Sequence, residues 1–310
     1  MSSETEKLSA VLVLGGTGTV GSRVAQQLLA QDKPVYVASR KGISSSGSSE
    51  GHEVVFNWQD RATWSKPFEI AAKKPDAGGG NKAAPIRSVY LIAPPVLDSA
   101  SIMMEFVDFA RDRGVRRVVL QSASSIEPGG PAMGKVHAYL RELGQRGEVE
   151  WAVIRPSWFQ QNFARQANHV KSIKEEGKVY SATGDGKIPW VSADDIAAVA
   201  VRALTMPDPV NTEYMVLGPE LLSYDDIAHT LSEVLGKKIV HVDLSSADLE
   251  KRHQSFGMPA DYASMMSALD TGIKYGMENR TNDVVLSVTG VPPKRFREFA
   301  ESNKEVWVSA

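Results

Sequence analysis

Residues 10–40 read AVLVLGGTGTVGSRVAQQLLAQDKPVYVASR, and this stretch decides the fold. Its first residues, Ala10 to Leu14, are an unbroken apolar run, which is typical of a strand buried on both faces of a parallel sheet. A glycine-rich turn, Gly15 to Gly21, leads into an amphipathic helical pattern that ends near Lys33. Residues 34–39 then predict a second strand. The stretch is therefore a βαβ unit, with two parallel strands joined by a right-handed helical crossover.

The turn carries glycines at 15, 18 and 21, in the spacing G-x-x-G-x-x-G. Gly15 permits a tight turn, Gly18 lets the backbone approach a pyrophosphate, and Gly21 lets the helix pack close to the sheet. The free N–H groups and the positive dipole end of the helix then favour phosphate. This context predicts a nucleotide-binding loop. Its predicted cofactor contacts are Gly15, Thr17, Gly18, Thr19 and Val20.

The end of the second strand indicates which dinucleotide binds. A site selective for NAD places an acidic residue there to bind the ribose hydroxyls. This chain has Ser39-Arg40 instead. A guanidinium can stack on adenine and pair with a 2′-phosphate, and a hydroxyl can donate to the same phosphate. We therefore predict NADP(H) as the cofactor. Asn57, after the third predicted strand, is expected at the adenine edge.

Strands and helices alternate through the first half of the chain. This alternation predicts an α/β fold with a doubly wound parallel Rossmann sheet. Further strands are predicted at 53–56, 87–92, 117–121 and 151–154, and helices at 61–73 and from Ser99 to Gly114. Surface loops are predicted over 41–51 and 74–85.

After Arg155-Pro156 the alternation stops, which indicates a second region of different architecture. We predict an NADP-binding Rossmann domain over 1–156, to which 187–205 return. We predict a smaller, mainly helical substrate-binding lobe over 157–186 and 206–310.

Composition excludes several functional classes. The chain of 310 residues has a formal net charge of −2, so no basic surplus favours a nucleic-acid partner. It has no cysteine, and its histidines lack metal-ligand spacing, so we expect neither disulfides nor a metal site. No apolar run reaches the roughly 20 residues of a membrane span, and no signal peptide is evident. We expect a cytoplasmic enzyme without a membrane partner.

The order of several segments resembles a known family. These segments are GGTGTVG (15–21), ASR (38–40), IAPP (92–95), QSASS (121–125), GKVH (134–137) and RPSWFQQNF (155–163). Together they resemble the NmrA-like atypical short-chain dehydrogenases. FNW (56–58) and WFQQNF (158–163) are especially similar to the fungal ergot-alkaloid festuclavine and agroclavine dehydrogenases.

This resemblance implies an NADPH-dependent reductase of an imine or iminium intermediate in fungal indole-alkaloid biosynthesis. It implies that Ala93 and Pro94 line the cofactor, that Ser122 lies near the nicotinamide ribose and that Lys135 holds its hydroxyls. The stretch from Pro156 to Phe159 would then wall the nicotinamide end. The predicted substrate-binding residues are Trp158, Phe159, Gln160 and Trp190, with core packing as the alternative for the three aromatic residues.

One departure from the wider short-chain family changes the expected chemistry. Those enzymes carry a tyrosine four residues before the lysine, as the proton donor to a carbonyl. Here that position holds Pro131, which has no proton to give. An iminium carbon is already cationic, so a hydride neutralises it without a proton donor, and the departure favours iminium over ketone reduction. His137 and Tyr139 are the candidate acid–base residues, with an exposed helix position as the alternative for each.

Two alternatives stay open from the sequence. A non-redox cyclase on the same scaffold could trap the cation with an internal nucleophile, as in a Pictet–Spengler cyclisation, with NADP(H) bound but unconsumed. An NADP-sensing regulatory protein would need the phosphate loop but no aromatic pocket. The expected partner is a small-molecule substrate, an indole alkaloid, and the expected assembly is a monomer or homodimer.

Overall fold

A computed structural model describes residues 9–41, 52–72, 84–96 and 98–308. The loop predicted over 41–51 lies outside the described residues except for Lys41, and so does most of the loop predicted over 74–85. The chain divides into two compact units. The first is the described part of Met1–Arg155 together with Ile196–Met215, and the second comprises Pro156–Asp195 and the described part of Val216–Ala310.

The first unit contains a seven-stranded sheet in the order β3-β2-β1-β4-β5-β6-β8. Its strands are β1 Ala10–Val13, β2 Val35–Ser39, β3 His52–Val55, β4 Ile86–Leu91, β5 Arg117–Gln121, β6 Glu150–Pro156 and β8 Thr212–Val216. All neighbours from β3 to β6 pair in parallel. The strand order reverses direction at β1, between β2 and β4, which makes the carboxyl end of β1 a topological switch point. The predicted Rossmann fold is confirmed.

The helices of this unit cover a core centred on β1. They are α1 Gly21–Leu29, α2 Lys66–Ala72, α3 Ala100–Arg111 and α4 Met133–Gln145. Every residue of β1 is buried, as its unbroken apolar run predicted, because both faces of the strand are covered. The helix α3 buries Met103, Phe106, Val107 and Ala110. Gly114, at φ +89°, follows that helix in the left-handed conformation expected of its C-terminal cap.

The helix predicted over 61–73 is split. A 3₁₀ turn covers Arg61–Thr63, capped by the Asp60 side chain, which accepts a hydrogen bond from the Ala62 N–H at 3.1 Å. The α-helix starts only at Lys66. Pro67 explains the boundary, because a proline fits the first turn of a helix but breaks its interior.

The second unit is mainly helical, as predicted, with a small sheet that the sequence analysis missed. Its helices are α5 Asn162–Arg165, α6 Ala167–Lys171, a π-helix Ser172–Glu176, α7 Ala193–Thr205 (which ends in residues of the first unit), α8 Tyr224–Leu235, α9 Ser246–Ser255, α10 Ala260–Lys274, α11 Val284–Thr289 and α12 Phe296–Ser302. The missed strands, β7 Lys178–Ser181 and β9 Val240–Asp243, pair in parallel. Strands this short carry little periodic signal, and their partners are distant in sequence.

The segment that returns to the first unit is Ile196–Met215, whereas the sequence predicted 187–205. Residues 187–195 stay in the second unit because their backbone is paired there. Ile188 and Leu222 exchange backbone hydrogen bonds at 3.0 Å, and the Val191 N–H donates to the Trp158 carbonyl at 2.9 Å. Within the described residues, no helix is long and apolar enough to span a membrane, and no group of His, Asp or Glu is arranged to hold a metal ion.

Candidate cofactor site

The residues predicted to bind the cofactor follow neighbouring parallel strands of the first unit. The glycine turn follows β1, Ser39-Arg40 ends β2, Asn57 follows β3, Ala93-Pro94 follows β4, and Ser122 follows β5. Because the carboxyl ends of parallel strands share one edge, these residues lie along the same edge of the sheet. We call it the cofactor edge. The edge includes the switch point beside β1.

The glycine turn is held by its own backbone. The Gly16 N–H donates to the Ala38 carbonyl at 3.1 Å, and the Gly18 N–H donates to the Gly15 carbonyl at 2.8 Å. Gly15 has φ +62°, which favours glycine. A Cβ at Gly21 would lie 2.3 Å from the Gly15 carbonyl oxygen, so only glycine fits there. The tight turn at Gly15 and the close packing at Gly21 are therefore those that the G-x-x-G-x-x-G motif predicted.

The N-terminus of α1 is suited to an anion. Val20 occupies the cap position without a side-chain cap bond, and the first turn has no acidic residue. Neither the cap residue nor the first turn of α1 therefore neutralises the positive end of the helix dipole. Thr17 is exposed at the tip of the turn, Gly18 and Thr19 are half-buried, and Val20 packs inward.

The cation Arg40 follows β2, and the amide side chain of Asn57 follows β3. Arg40 is exposed and has no ion-pair partner among the described residues, and Ser39 is half-buried beside it. The Asn57 carbonyl oxygen Oδ1 accepts from the Gln59 N–H at 3.1 Å, and its backbone N–H donates to Thr63 Oγ1 at 2.8 Å. These bonds fix the Asn57 side chain and leave its Nδ2 group able to donate.

Ser122 supplies the observation that best fits a ligand. Its hydroxyl is buried and has no hydrogen-bond partner in the described part of the chain. Its backbone is fixed, since its N–H donates to the Ile154 carbonyl at 2.7 Å. An unpaired buried hydroxyl costs free energy, so a ribose hydroxyl at this position would restore the missing bond. Pro94 is buried, Ala93 is half-buried, and Lys135 is exposed on the first turn of α4. These residues fit a dinucleotide.

A buried arginine lies near the same edge of the sheet, and the sequence pattern did not assign it to the site. Arg155, in β6, is 2% exposed and bonded to Glu127, Glu213 and the Ser124 carbonyl. In the sequence, this region stood out only because residues 155–163 resemble a family motif. The contacts of Arg155 join segments that are distant in the chain, so no local pattern indicates them.

The two candidate acid–base residues both contact other side chains of the first unit. His137 is 2% exposed, its ring lies 5.6 Å from that of Trp151, and burial lowers its pKa. The alternative of an exposed helix histidine is therefore wrong. The Tyr139 hydroxyl bonds to the Asp108 carboxylate, and burial followed by that bond raises its pKa to about 12. Both shifts move the pKa away from neutral pH, where a general acid or base works best, so the roles of His137 and Tyr139 stay predictions.

The residues predicted to bind substrate belong to the second unit and differ in exposure. Trp158 and Phe159 are half-buried. Gln160 is 0% exposed, and its Nε2 donates to the carbonyls of Trp190 and Lys294 at 3.2 and 2.9 Å. Trp190 is 1% exposed and packs on Phe163 and Tyr224, with its indole N–H donating to the Leu222 carbonyl at 3.3 Å. Gln160 and Trp190 therefore organise the core of this unit.

Comparison with known proteins identifies the family. The NmrA-like family matches residues 131–299, and an NAD(P)H-binding family matches residues 15–207. The chain belongs to the NmrA-like family. The NAD(P)H match covers the glycine turn, the ends of β2 to β5 and Lys135.

Curated relatives extend the similarity over nearly the whole chain. Festuclavine synthase II of Penicillium roqueforti (strain FM164) is 46% identical over 96% of this chain and 99% of its own length. Agroclavine dehydrogenase of Claviceps fusiformis is 42% identical over 96% of this chain and 98% of its own length. The solved structure of Citrobacter sp. triphenylmethane reductase complexed with NADP(H) has a TM-score of 0.73 at 20% identity, covering 95% of this chain and 99% of that one. That last likeness shows the shared fold.

These findings confirm three predictions for this NmrA-like protein. The family is the one that the motifs indicated. The cofactor prediction is confirmed as far as a nicotinamide dinucleotide. The class of oxidoreductase agrees with relatives that are named dehydrogenases.

Proposed function

We propose that this NmrA-like protein is an NADPH-dependent reductase of a cyclic imine or iminium intermediate in fungal indole-alkaloid biosynthesis. The observation that carries the proposal is a cofactor edge that keeps Arg40 and the Ser122 hydroxyl available but has Pro131 where a carbonyl reductase needs its tyrosine. The names of the festuclavine and agroclavine relatives support the substrate class.

Each cofactor group has residues suited to hold it. The glycine turn from Gly15 to Val20 and the N-terminus of α1 would hold the pyrophosphate, Ser39 and Arg40 would bind the 2′-phosphate, and Asn57 would meet adenine. Ala93 and Pro94 line the bound dinucleotide, Ser122 and Lys135 hold the nicotinamide ribose, and Pro156 walls the nicotinamide. When bound, NADPH supplies a hydride equivalent.

For this reaction the protein has to orient the substrate and to exclude water. An iminium carbon gains a hydride and becomes a neutral amine without a proton donor, so Pro131 is compatible with turnover. The half-buried rings of Trp158 and Phe159 are suited to face a cationic substrate. Gln160 and Trp190 support these aromatic residues from the core of the second unit and do not themselves contact substrate.

Transfer of label from the cofactor tests this function. The protein is incubated with NADPH deuterated at C4 of the nicotinamide and a cyclic iminium of the festuclavine class, and the product is analysed by mass spectrometry. We expect loss of nicotinamide absorbance together with one deuterium in the amine product. A cyclised product with no loss of NADPH would identify a non-redox cyclase instead. NADPH binding without turnover of any iminium would favour a nucleotide sensor.

A further inference from the structure

We infer that Arg155 is a positioning residue for the cofactor edge, fixing the turn 123–134 that joins Ser122 to Lys135. The inference rests on the proposed function, because those two residues are proposed to hold the nicotinamide ribose.

The guanidinium of Arg155 joins three segments of the first unit. Nη1 donates to Glu213 Oε2 in β8 at 2.8 Å, while Nη2 donates to the Ser124 carbonyl at 3.1 Å and to the Glu127 carboxylate. Nε lies 3.5 Å from the Ala123 carbonyl oxygen. A planar guanidinium with donors in a fixed fork can satisfy these acceptors at once, whereas an ammonium cannot.

Hydrogen bonds and close packing within the turn connect Glu127 to the start of α4, where Lys135 lies. The Glu127 carbonyl accepts from the Gly130 N–H at 2.9 Å, and the Gly129 N–H donates to the Gly134 carbonyl at 2.8 Å. A Cβ at Gly134 would lie 2.5 Å from the Glu127 carbonyl oxygen, so the start of α4 packs directly on the backbone of Glu127. Lys135 is the next residue along the helix.

The same turn contains strained backbone, which requires anchoring from its surroundings. Ala132 has φ +46° and ψ −113°, and the Gly134 N–H donates to the Pro131 carbonyl at 2.9 Å. This is the geometry of a type II′ turn, whose first central position favours glycine. Such a conformation persists in a non-glycine residue only when neighbouring contacts determine it. The Arg155 bonds to Ser124 and Glu127 supply contacts of that kind.

Arg117 offers a matched control in the same unit. It is 8% exposed, pairs with Glu150 through Nε at 2.7 Å and donates to the carbonyls of Met206 and Leu204. Arg117 begins β5, so it lies at the amino edge of the sheet, whereas Arg155 lies near the carboxyl edge. Both arginines are buried in polar contacts, but only one is bonded to the turn 123–134.

The test compares Arg155→Met with Arg117→Met in the full chain. NADPH affinity is measured by fluorescence titration, and amide hydrogen exchange over 123–134 is measured without added nucleotide. We expect R155M to weaken NADPH binding by about tenfold or more and to speed exchange in the turn. We expect R117M to lose stability while keeping the NADPH Kd within about twofold of the wild type. R155K should fall between R155M and the wild type, because an ammonium replaces only part of the fork.

Glu127→Ala provides a variant that folds even if R155M does not, since the Glu127 side chain is 70% exposed. We expect it to speed exchange over 123–134 and to weaken NADPH binding several-fold. The inference is overturned if wild-type protein binds NADPH and neither R155K nor E127A changes the turn or the affinity more than R117M does. Absence of NADPH binding by the wild type would instead overturn the proposed function.

Discussion

The cofactor edge of the first unit and the core around Trp190 in the second unit contrast in how they use polar groups. At the cofactor edge, Arg40 has no ion-pair partner among the described residues, and the Ser122 hydroxyl has no hydrogen-bond partner there. In the second unit, both Nε2 protons of Gln160 and the indole N–H of Trp190 are bonded to backbone carbonyls, and among the described residues only the Gln160 Oε1 acceptor of this group is without a partner. Both regions were predicted to bind ligands from sequence motifs.

The difference shows that a family motif can contain residues whose hydrogen-bond donors are used within the fold. The motif RPSWFQQNF contains a buried amide that ties two backbone segments together, next to aromatic side chains that keep some exposure. A residue whose donors are already bonded has no donor left for a ligand. A residue held in place with an unpaired group can bind one without losing an existing bond.

The largest effect is expected from Gly21→Ala at the cofactor edge. The added Cβ would lie 2.3 Å from the Gly15 carbonyl oxygen, so the phosphate loop must move. We expect NADPH affinity to fall by about 100-fold or more, since the backbone donors lose their alignment. The measurement is NADPH titration. Gly147→Asn is the control, because Gly147 has φ +69° and no atom within 4 Å of an added Cβ. Unchanged NADPH binding by G21A would contradict the role of this turn.

Arg40→Ala tests whether the free cation selects the phosphate. We expect NADPH affinity to fall about 10- to 100-fold with little change for NADH, because a charge-assisted bond to the 2′-phosphate is lost. Parallel titrations with both dinucleotides check this. Arg113→Ala, another exposed arginine of the same unit, should change neither affinity. Equal losses for NADPH and NADH in R40A would argue against selection of the phosphate.

Gln160→Leu examines the other side of the comparison. Removing the amide leaves the carbonyls of Trp190 and Lys294 without their donor, so we expect a loss of about 1–3 kcal/mol in the free energy of unfolding. NADPH affinity should stay unchanged. Chemical denaturation and substrate KM are measured together. A raised KM with unaltered stability would place Gln160 in substrate binding after all.

The smallest effect concerns a buried carboxylate of the second unit. Burial raises the pKa of Asp270 to about 6, although the Ala182 N–H donates to it at 2.9 Å. Because the folded pKa lies above the unfolded value, this group favours folding below about pH 4 and loses that contribution as pH rises through 6. Asp270→Asn keeps an acceptor for Ala182 without the charge.

We expect D270N to gain about 1–2 kcal/mol over the wild type between pH 5 and 7.5, measured by thermal unfolding across pH. The wild-type and variant curves must be subtracted, because His169 acts in the opposite direction. Burial lowers the pKa of that histidine to about 4, so its contribution is lost as pH falls below about 6.5. A pH-independent difference between the two proteins would assign the effect to packing.

The sequence by itself determined the parts that depend on local pattern. The strand predicted over 117–121 matches Arg117–Gln121, and the glycine turn is built as its spacing required, because steric limits on the backbone act within a few residues. The same holds for the alternation of strands and helices that gave the Rossmann sheet. The position of Ser39-Arg40 at the end of the strand after the first crossover was also readable from the sequence.

Only the tertiary structure decided which side chains keep free groups. It paired β7 with β9, buried His137 against Trp151, bonded Gln160 to Trp190 and Lys294, and fixed Arg155 between Glu127 and Glu213. Each of these outcomes depends on desolvation and on a partner supplied from elsewhere in the chain. Residue type and spacing fix where a side chain begins, whereas its exposure and its remaining hydrogen bonds are set by contacts that no local pattern contains.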